Sequence, residues 1–239
     1  MRRWCAHSVE VRMAWPSTNK GISMKRREFS AAVVGVGALG MGAWAMRAAQ
    51  AQGMPAEEAY KRLAQRVPVS VPAGKIEVVE FFSYACPHCH EFDPSVQAWA
   101  AKLPADVVFR HVPVAFRPSW AGLQRLYFTL EAMGLLGALH GKAFEAFHRQ
   151  RVALEQPDVA ADWAAKNGVD GAKFKAVYNS FGMSGKLAQA NRLAEMFKIE
   201  GVPTLGIQGQ YLTSVSMTHS VPKTFEVANA LIAAVRAGR

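Results

Sequence analysis

Two cysteines three residues apart, in Cys86-Pro87-His88-Cys89, are the residues of this sequence best suited to covalent chemistry. Thiolate is the reactive form of cysteine, and a helix N-terminus stabilises it through unpaired backbone N–H groups and the positive end of the helix dipole. Pro87 suits the first helical turn, where its missing N–H costs nothing. Cys89 then lies one turn along on the same face, within disulfide reach without backbone movement. The arrangement predicts a division of labour: Cys86 attacks or is attacked, and Cys89, further inside, resolves the mixed disulfide. A stabilised thiolate is a good leaving group and favours the reduced form, so such a pair gives its disulfide away readily. His88 adds a cation or a donor beside Cys86, or is a solvated helix residue.

Other uses of the same residues make weaker sense. A structural disulfide closing so short a loop removes little chain entropy. A zinc site from Cys86, Cys89 and His90 lacks a fourth ligand, because no second CxxC or HxxxH exists. Haem is the sharper rival, since Cys86 to His90 spell C-x-x-C-H, with Met196 or Met217 available as an axial partner. Against haem stand the β-branched strand just before the motif and the stiffness that Pro87 brings. The reading therefore expects no metal and no cofactor.

A motif of this kind needs a rigid strand before it and a helix after it. Lys75 to Ser83 (KIEVVEFFS) is an apolar, β-branched and aromatic run of strand length, and reads as a buried central strand. Glu80 interrupts it, either as an outward-facing edge residue or as a buried acid at considerable cost. A helix is predicted near 87–103 from Phe92, Val96, Trp99 and Leu103, with Pro104 ending it. Val107 to Phe116 is the next strand. From about 117 to 198 helical periodicity dominates, punctuated by Gly134, Gly168 and Gly182, and its Phe, Leu and Met stripe is helix core. Thr204 to Ile207, a Gln208-Gly209 turn, Tyr211 to Val215 and a helix from Lys223 to Ala237 follow, while residues 55–66 read as a short polar helix or arm. Pro203, at a strand start, would ordinarily follow a trans bond. The fold class is α/β, a thioredoxin-like sheet with an inserted helical subdomain at about 117–198 of a domain spanning 52–239.

The 239 residues are 51% hydrophobic and 19% charged, which excludes disordered and polytopic membrane classes. The net charge of +10 is concentrated at the start: residues 1–51 carry eight Lys or Arg against two acids, the remainder twenty against sixteen. The body's cations are scattered, so no nucleic-acid partner is expected. Residues 24–51 have a charged start, an uncharged stretch from Phe29 to Met46 and small residues up to Ala51, the plan of a cleavable signal peptide. Arg26-Arg27 resembles a twin-arginine export motif. Seven small residues among Gly35 to Ala45 make the stretch a poor membrane anchor. Met24 is the expected start, with 1–23 a start-site artefact, and Cys5 is absent from the mature chain. Cys86 and Cys89 then stand alone in an oxidising compartment.

On EFFSYACPHCHEFDP (Glu80 to Pro94), Gly168-Val169-Asp170 followed by Phe174, and Gly201-Val202-Pro203-Thr204, the sequence resembles the DsbA family of periplasmic thiol:disulfide oxidoreductases. The resemblance implies that Cys86 is the nucleophile, Cys89 the resolving cysteine and Pro87-His88 the dipeptide that tunes the couple. It makes Val202-Pro203 a cis-proline loop facing the motif, with Val202 and Thr204 aligning a substrate strand. It makes Glu80 a buried acid that relays protons near Cys89. The implied function is donation of the Cys86–Cys89 disulfide to unfolded exported proteins, with recharging by a quinone-linked membrane oxidase of the DsbB type, in the periplasm and as a monomer. The alternative is a reductase, or an oxidoreductase with a single client.

Overall fold

A computed structural model of the chain describes residues 54–238. The signal segment 24–51, residues 1–23 and Cys5 lie outside them.

Five strands, β1 (Lys61–Arg62), β2 (Ile76–Phe82), β3 (Val107–Pro113), β4 (Thr204–Ile207) and β5 (Tyr211–Ser214), form one sheet in the order β1-β5-β4-β2-β3. The largely apolar run of β2 has the predicted consequence: all seven of its residues are buried, its two acids included. It pairs in parallel with β3 and antiparallel with β4, so it has no free edge. Residues 55–66 differ from the expected helix or arm. After a 3-10 turn at Glu57–Ala59, Lys61 and Arg62 pair with Leu212 and Tyr211 at the sheet edge.

Helix α1 (Pro87–Ala100) joins β2 to β3. Between β3 and β4 the chain is helical, with α2 (Ala121–Ala132), α3 (Leu136–His148), α4 (Pro157–Lys166), α5 (Gly171–Tyr178) and α6 (Phe181–Met196). After β5 come α7 (Val215–Thr218) and α8 (Val221–Ala237). Successive strand residues face opposite sides of a sheet. Ile76 and Val78 accordingly pack with Phe92 and Val96 of α1 and Leu231 of α8. Val79 and Phe81 join the helical block's cluster, where the Phe81 and Phe197 rings lie 5.0 Å apart. Full burial of each such side chain contributes about 1.5–3 kcal/mol. Glu80 shares the parity of Ile76 and Val78, which places it on the face covered by α1.

Three element ends differ from expectation for local reasons. β3 stops at Pro113, not Phe116, since proline has no N–H for the ladder; the N–H of Val114 donates once more, to the Phe82 carbonyl at 2.7 Å. Val215 opens α7 instead of closing β5. Helix α8 starts ahead of Lys223 because the Ser220 hydroxyl accepts the Lys223 N–H at 3.3 Å and a proline sits in the first turn. At the predicted β4–β5 turn, Gly209 has φ +61° and a Cβ there would lie 1.9 Å from the Val67 carbonyl, so only glycine fits.

Candidate active site

The end of β2 feeds the motif directly. The Cys86 N–H donates to the Ser83 carbonyl at 3.0 Å, closing a turn that leaves Cys86 as the N-cap of α1 in extended conformation, with Pro87 in the first turn. The Cys86 carbonyl accepts from the N–H groups of Cys89 and His90 at 3.1 and 3.2 Å. Cys86 is 9% exposed and Cys89 fully buried, whereas Pro87 and His88 are exposed. Both cysteines are free thiols.

Opposite the motif, the Val202–Pro203 peptide is cis, in place of the trans bond that local preference favours. Cys86 Sγ lies 3.4 Å from the Val202 carbonyl oxygen, to which it donates in its thiol form. This loop is set by the sheet, because Thr204 pairs with Phe81 in the β4–β2 register. The Thr204 hydroxyl donates to the Gly201 carbonyl at 2.8 Å. A cavity of about 610 Å³ opens beside the loop, lined by His88, Phe92, Ile199, Pro203, Leu212 and Met217 among others.

The two thiols are driven apart. Cys86 is lowered from 9.0 to about 6, first by the hydrogen bond from the Cys89 thiol; burial opposes this, and the backbone N–H groups of Cys89 and His88 and the His88 charge add to it. Cys89 is raised far above the ordinary thiol range, first by burial, then by Cys86, and further by the Glu80 charge. At neutral pH the pair is therefore one thiolate and one thiol, with the reactive sulfur at the less deeply buried position.

Glu80 is 2% exposed in an interior strand paired on both sides, which excludes the edge reading. Its Oε2 lies 2.7 Å from His111 Nδ1, brought there by the parallel register that sets Glu80 opposite His111. A second acid of β2, Glu77, is 1% exposed and accepts from Arg110 Nε at 2.9 Å. A third polar group joins the loop to two helices: Tyr84 OH and His140 Nδ1 lie 2.7 Å apart, and His140 Nε2 is 3.3 Å from Asp93 Oδ1. Burial pushes Asp93 up, but the hydrogen bonds and charge of His140 and the bond from Gln97 outweigh it and hold the carboxyl below its usual value. His90, needed by the haem and zinc readings, is turned elsewhere: it lies 2.7 Å from Glu145 and stacks on His148 with ring centroids 5.1 Å apart.

His111, Asp93, His140 and Glu77 were not singled out by sequence. A usable signal was there: two acids in one apolar strand, Glu77 and Glu80, face the adjacent Arg110 and His111 in the next.

Comparison with known proteins agrees with this geometry. Residues 77–226 match the model of the DSBA-like thioredoxin domain. The chain is 39% identical over 195 residues to the thiol:disulfide interchange protein DsbA of Burkholderia cepacia, covering 80% of this chain and 92% of that protein. It is 41% identical over 190 residues to the protein of the same name from Pseudomonas aeruginosa, covering 80% and 90%. Among solved structures, Pseudomonas aeruginosa DsbA superposes with a TM-score of 0.73 at 40% identity, covering 75% of this chain and 93% of that one. The oxidoreductase DsbA from Xylella fastidiosa gives 0.72 at 32%, covering 77% and 100%.

Proposed function

Since the chain belongs to the DSBA-like thioredoxin domain family, we propose that Cys86 and Cys89 are its redox centre and that it donates their disulfide to newly exported proteins. The protein is a thiol:disulfide oxidoreductase; the residues and the direction are our reading. The observation that carries it is the separation of the two sulfurs, a thiolate at about 6 on the helix N-terminus and a buried thiol beneath it.

In the proposed cycle a substrate thiolate attacks Cys86 Sγ of the disulfide form. The Cys86–Cys89 bond breaks and its electron pair leaves on Cys89, which takes up a proton. A second substrate thiolate then attacks the substrate sulfur of the mixed disulfide, and Cys86 departs as a thiolate. One substrate disulfide forms, one enzyme disulfide is reduced, and the balance of protons goes to water. Low basicity makes Cys86 a good leaving group, which favours release of the oxidised substrate. The Val202 carbonyl, 3.4 Å from Cys86 Sγ, and the strand start at Thr204 offer backbone partners for a substrate segment laid beside the motif. The cavity next to His88 and Pro203 accommodates its side chains. To Glu80, whose charge acts on the Cys89 thiol, we assign the exchange of a proton with Cys89.

Recharging requires an electron acceptor, which we assign to a quinone-linked membrane oxidase of the DsbB type. Residues 24–51 deliver the chain to the periplasm as a cleavable twin-arginine-type signal. Among the described residues no helix is long and apolar enough to cross a membrane.

Equilibrium titration of the purified protein against glutathione, read by alkylation and mass spectrometry, tests the direction. A potential near about −120 mV, a value known for a member of this family and not obtained from this structure, identifies a disulfide donor. A value near about −270 mV makes the protein a reductase and overturns the proposal.

A further inference from the structure

A single hydrogen-bonded chain connects the base of the catalytic helix to Glu80. Gln97 of α1 donates from Nε2 to Asp93 Oδ1 at 3.1 Å, one turn back along the helix. The same nitrogen lies 3.1 Å from His111 Nε2. On its other side, His111 Nδ1 lies 2.7 Å from Glu80 Oε2. The Asp93 carboxyl is ionised, so the Gln97 amide must turn its NH₂ toward it; the reversed amide would set an oxygen against the carboxylate. One N–H is then spent on Asp93, and the other is directed at His111 Nε2. A ring nitrogen that accepts a hydrogen bond carries no proton, so this arrangement calls for the His111 tautomer with its proton on Nδ1, facing Glu80.

We propose that Gln97, oriented by Asp93, is a positioning residue of the disulfide exchange reaction: it keeps His111 neutral, and thereby keeps Glu80 a carboxylate basic enough to take the Cys89 proton. This rests on the function proposed above. It concerns the recharging half-reaction, in which the Cys86 thiolate has attacked an oxidant's disulfide and formed a mixed disulfide. Cys89 gives its S–H proton to Glu80, the Cys89 thiolate attacks Cys86 Sγ, the Cys86–Cys89 bond forms, and the oxidant's second sulfur leaves as a thiolate. An imidazolium at His111 would hold Glu80 as too weak a base for the first of these transfers.

The groups facing His111 come from four elements besides its own strand. Glu80 lies on β2 and Asp93 and Gln97 on α1. His140 of α3 has its ring centroid 4.8 Å away, and the Tyr127 ring of α2 lies at 6.4 Å with its hydroxyl 3.4 Å from the His111 carbonyl. Arg110 precedes it on β3, paired with Glu77. Two carboxylates, Glu80 and Asp93, thus lie near the His111 ring, with the Gln97 N–H on Nε2. Gln97 lies at the exposed rim while His111 is only 12% exposed, so this amide stands between the ring and solvent.

The test uses the full chain with ¹⁵N-labelled histidine, in which the His111 ring signals are identified by their loss in His111→Gln. At pH 7 the His111 ring is expected to show a protonated Nδ1 and a bare Nε2. Gln97→Met, which removes the donor at similar length, raises the share of rings with Nε2 protonated. Gln97→Glu, which offers an acceptor, raises it further. Single-turnover recharging by oxidised glutathione then slows about tenfold in Gln97→Glu near pH 6.5, a small part of what proton transfer contributes to catalysis, and recovers toward pH 8. The ultraviolet titration of the Cys86 thiolate stays in place, because Gln97 does not touch it. A protonated Nε2 in the unsubstituted chain, or variants with unchanged ring states and unchanged recharging profiles, overturns the proposal. Should the chain prove not to cycle its cysteines, the ring states still decide the role of Gln97 separately from the function.

Discussion

Replacing Cys89 with alanine removes the leading contribution to the Cys86 thiolate. Cys86 lies at about 6 against an ordinary 9.0. That is about three pH units, and at 1.36 kcal/mol each it amounts to about 4 kcal/mol in favour of the charged form. Burial opposes the shift, so the donors together supply more than this. A hydrogen bond to a charged acceptor contributes about 1.5–3 kcal/mol. Loss of the Cys89 S–H is therefore worth about one to two pH units, and the variant's Cys86 is expected at about 7–8. The backbone N–H groups of residues 88 and 89 and the His88 charge remain to hold it below 9.0. At pH 7 the thiolate share falls from about nine-tenths to between about a half and a tenth. Ultraviolet absorbance of the thiolate gives the midpoint, and the pH dependence of alkylation must follow the same curve. A midpoint still near 6 in Cys89→Ala refutes the reasoning and assigns the effect to the helix terminus and the His88 charge. The same variant, unable to resolve, should accumulate mixed disulfides through Cys86.

Two further outcomes follow from the same groups. Cys86 is depressed in the folded dithiol, so its contribution to stability is fully present above about pH 9 and is lost as pH falls through about 6. Urea unfolding should therefore show the dithiol form gaining on the disulfide form between those limits, and a constant difference would contradict the assignment. His140→Leu leaves Asp93 buried with the hydrogen bond from Gln97, and takes the partner of the Tyr84 hydroxyl away. Breaking a buried pair from one side costs about 3–5 kcal/mol, so the variant should unfold at clearly lower urea concentration, and an unchanged midpoint would refute it.

The motif and its supports were legible in the sequence because they are local. A largely apolar run without strict alternation is the pattern of a strand buried on both faces, as β2 is. Pro87 after Cys86 marks a helix start whatever the surrounding fold. The resemblance over Glu80 to Pro94 and Gly201 to Thr204 added the cis bond at Pro203, which local preference alone placed as trans. Tertiary structure decided the rest. Glu80 could be an edge residue or a core residue until pairing on both sides made β2 an interior strand of the sheet. Its partner His111 is 31 residues away, and only the parallel register brings the two within 2.7 Å. His140 reaches Tyr84 across 56 residues because α3 packs against α1 and the loop before it. Backbone preferences act over a few residues, so they could place each thiol on its helix; the buried polar groups Glu80, His111, His140 and Asp93 come from separate strands and helices, and only the packed sheet brings them together.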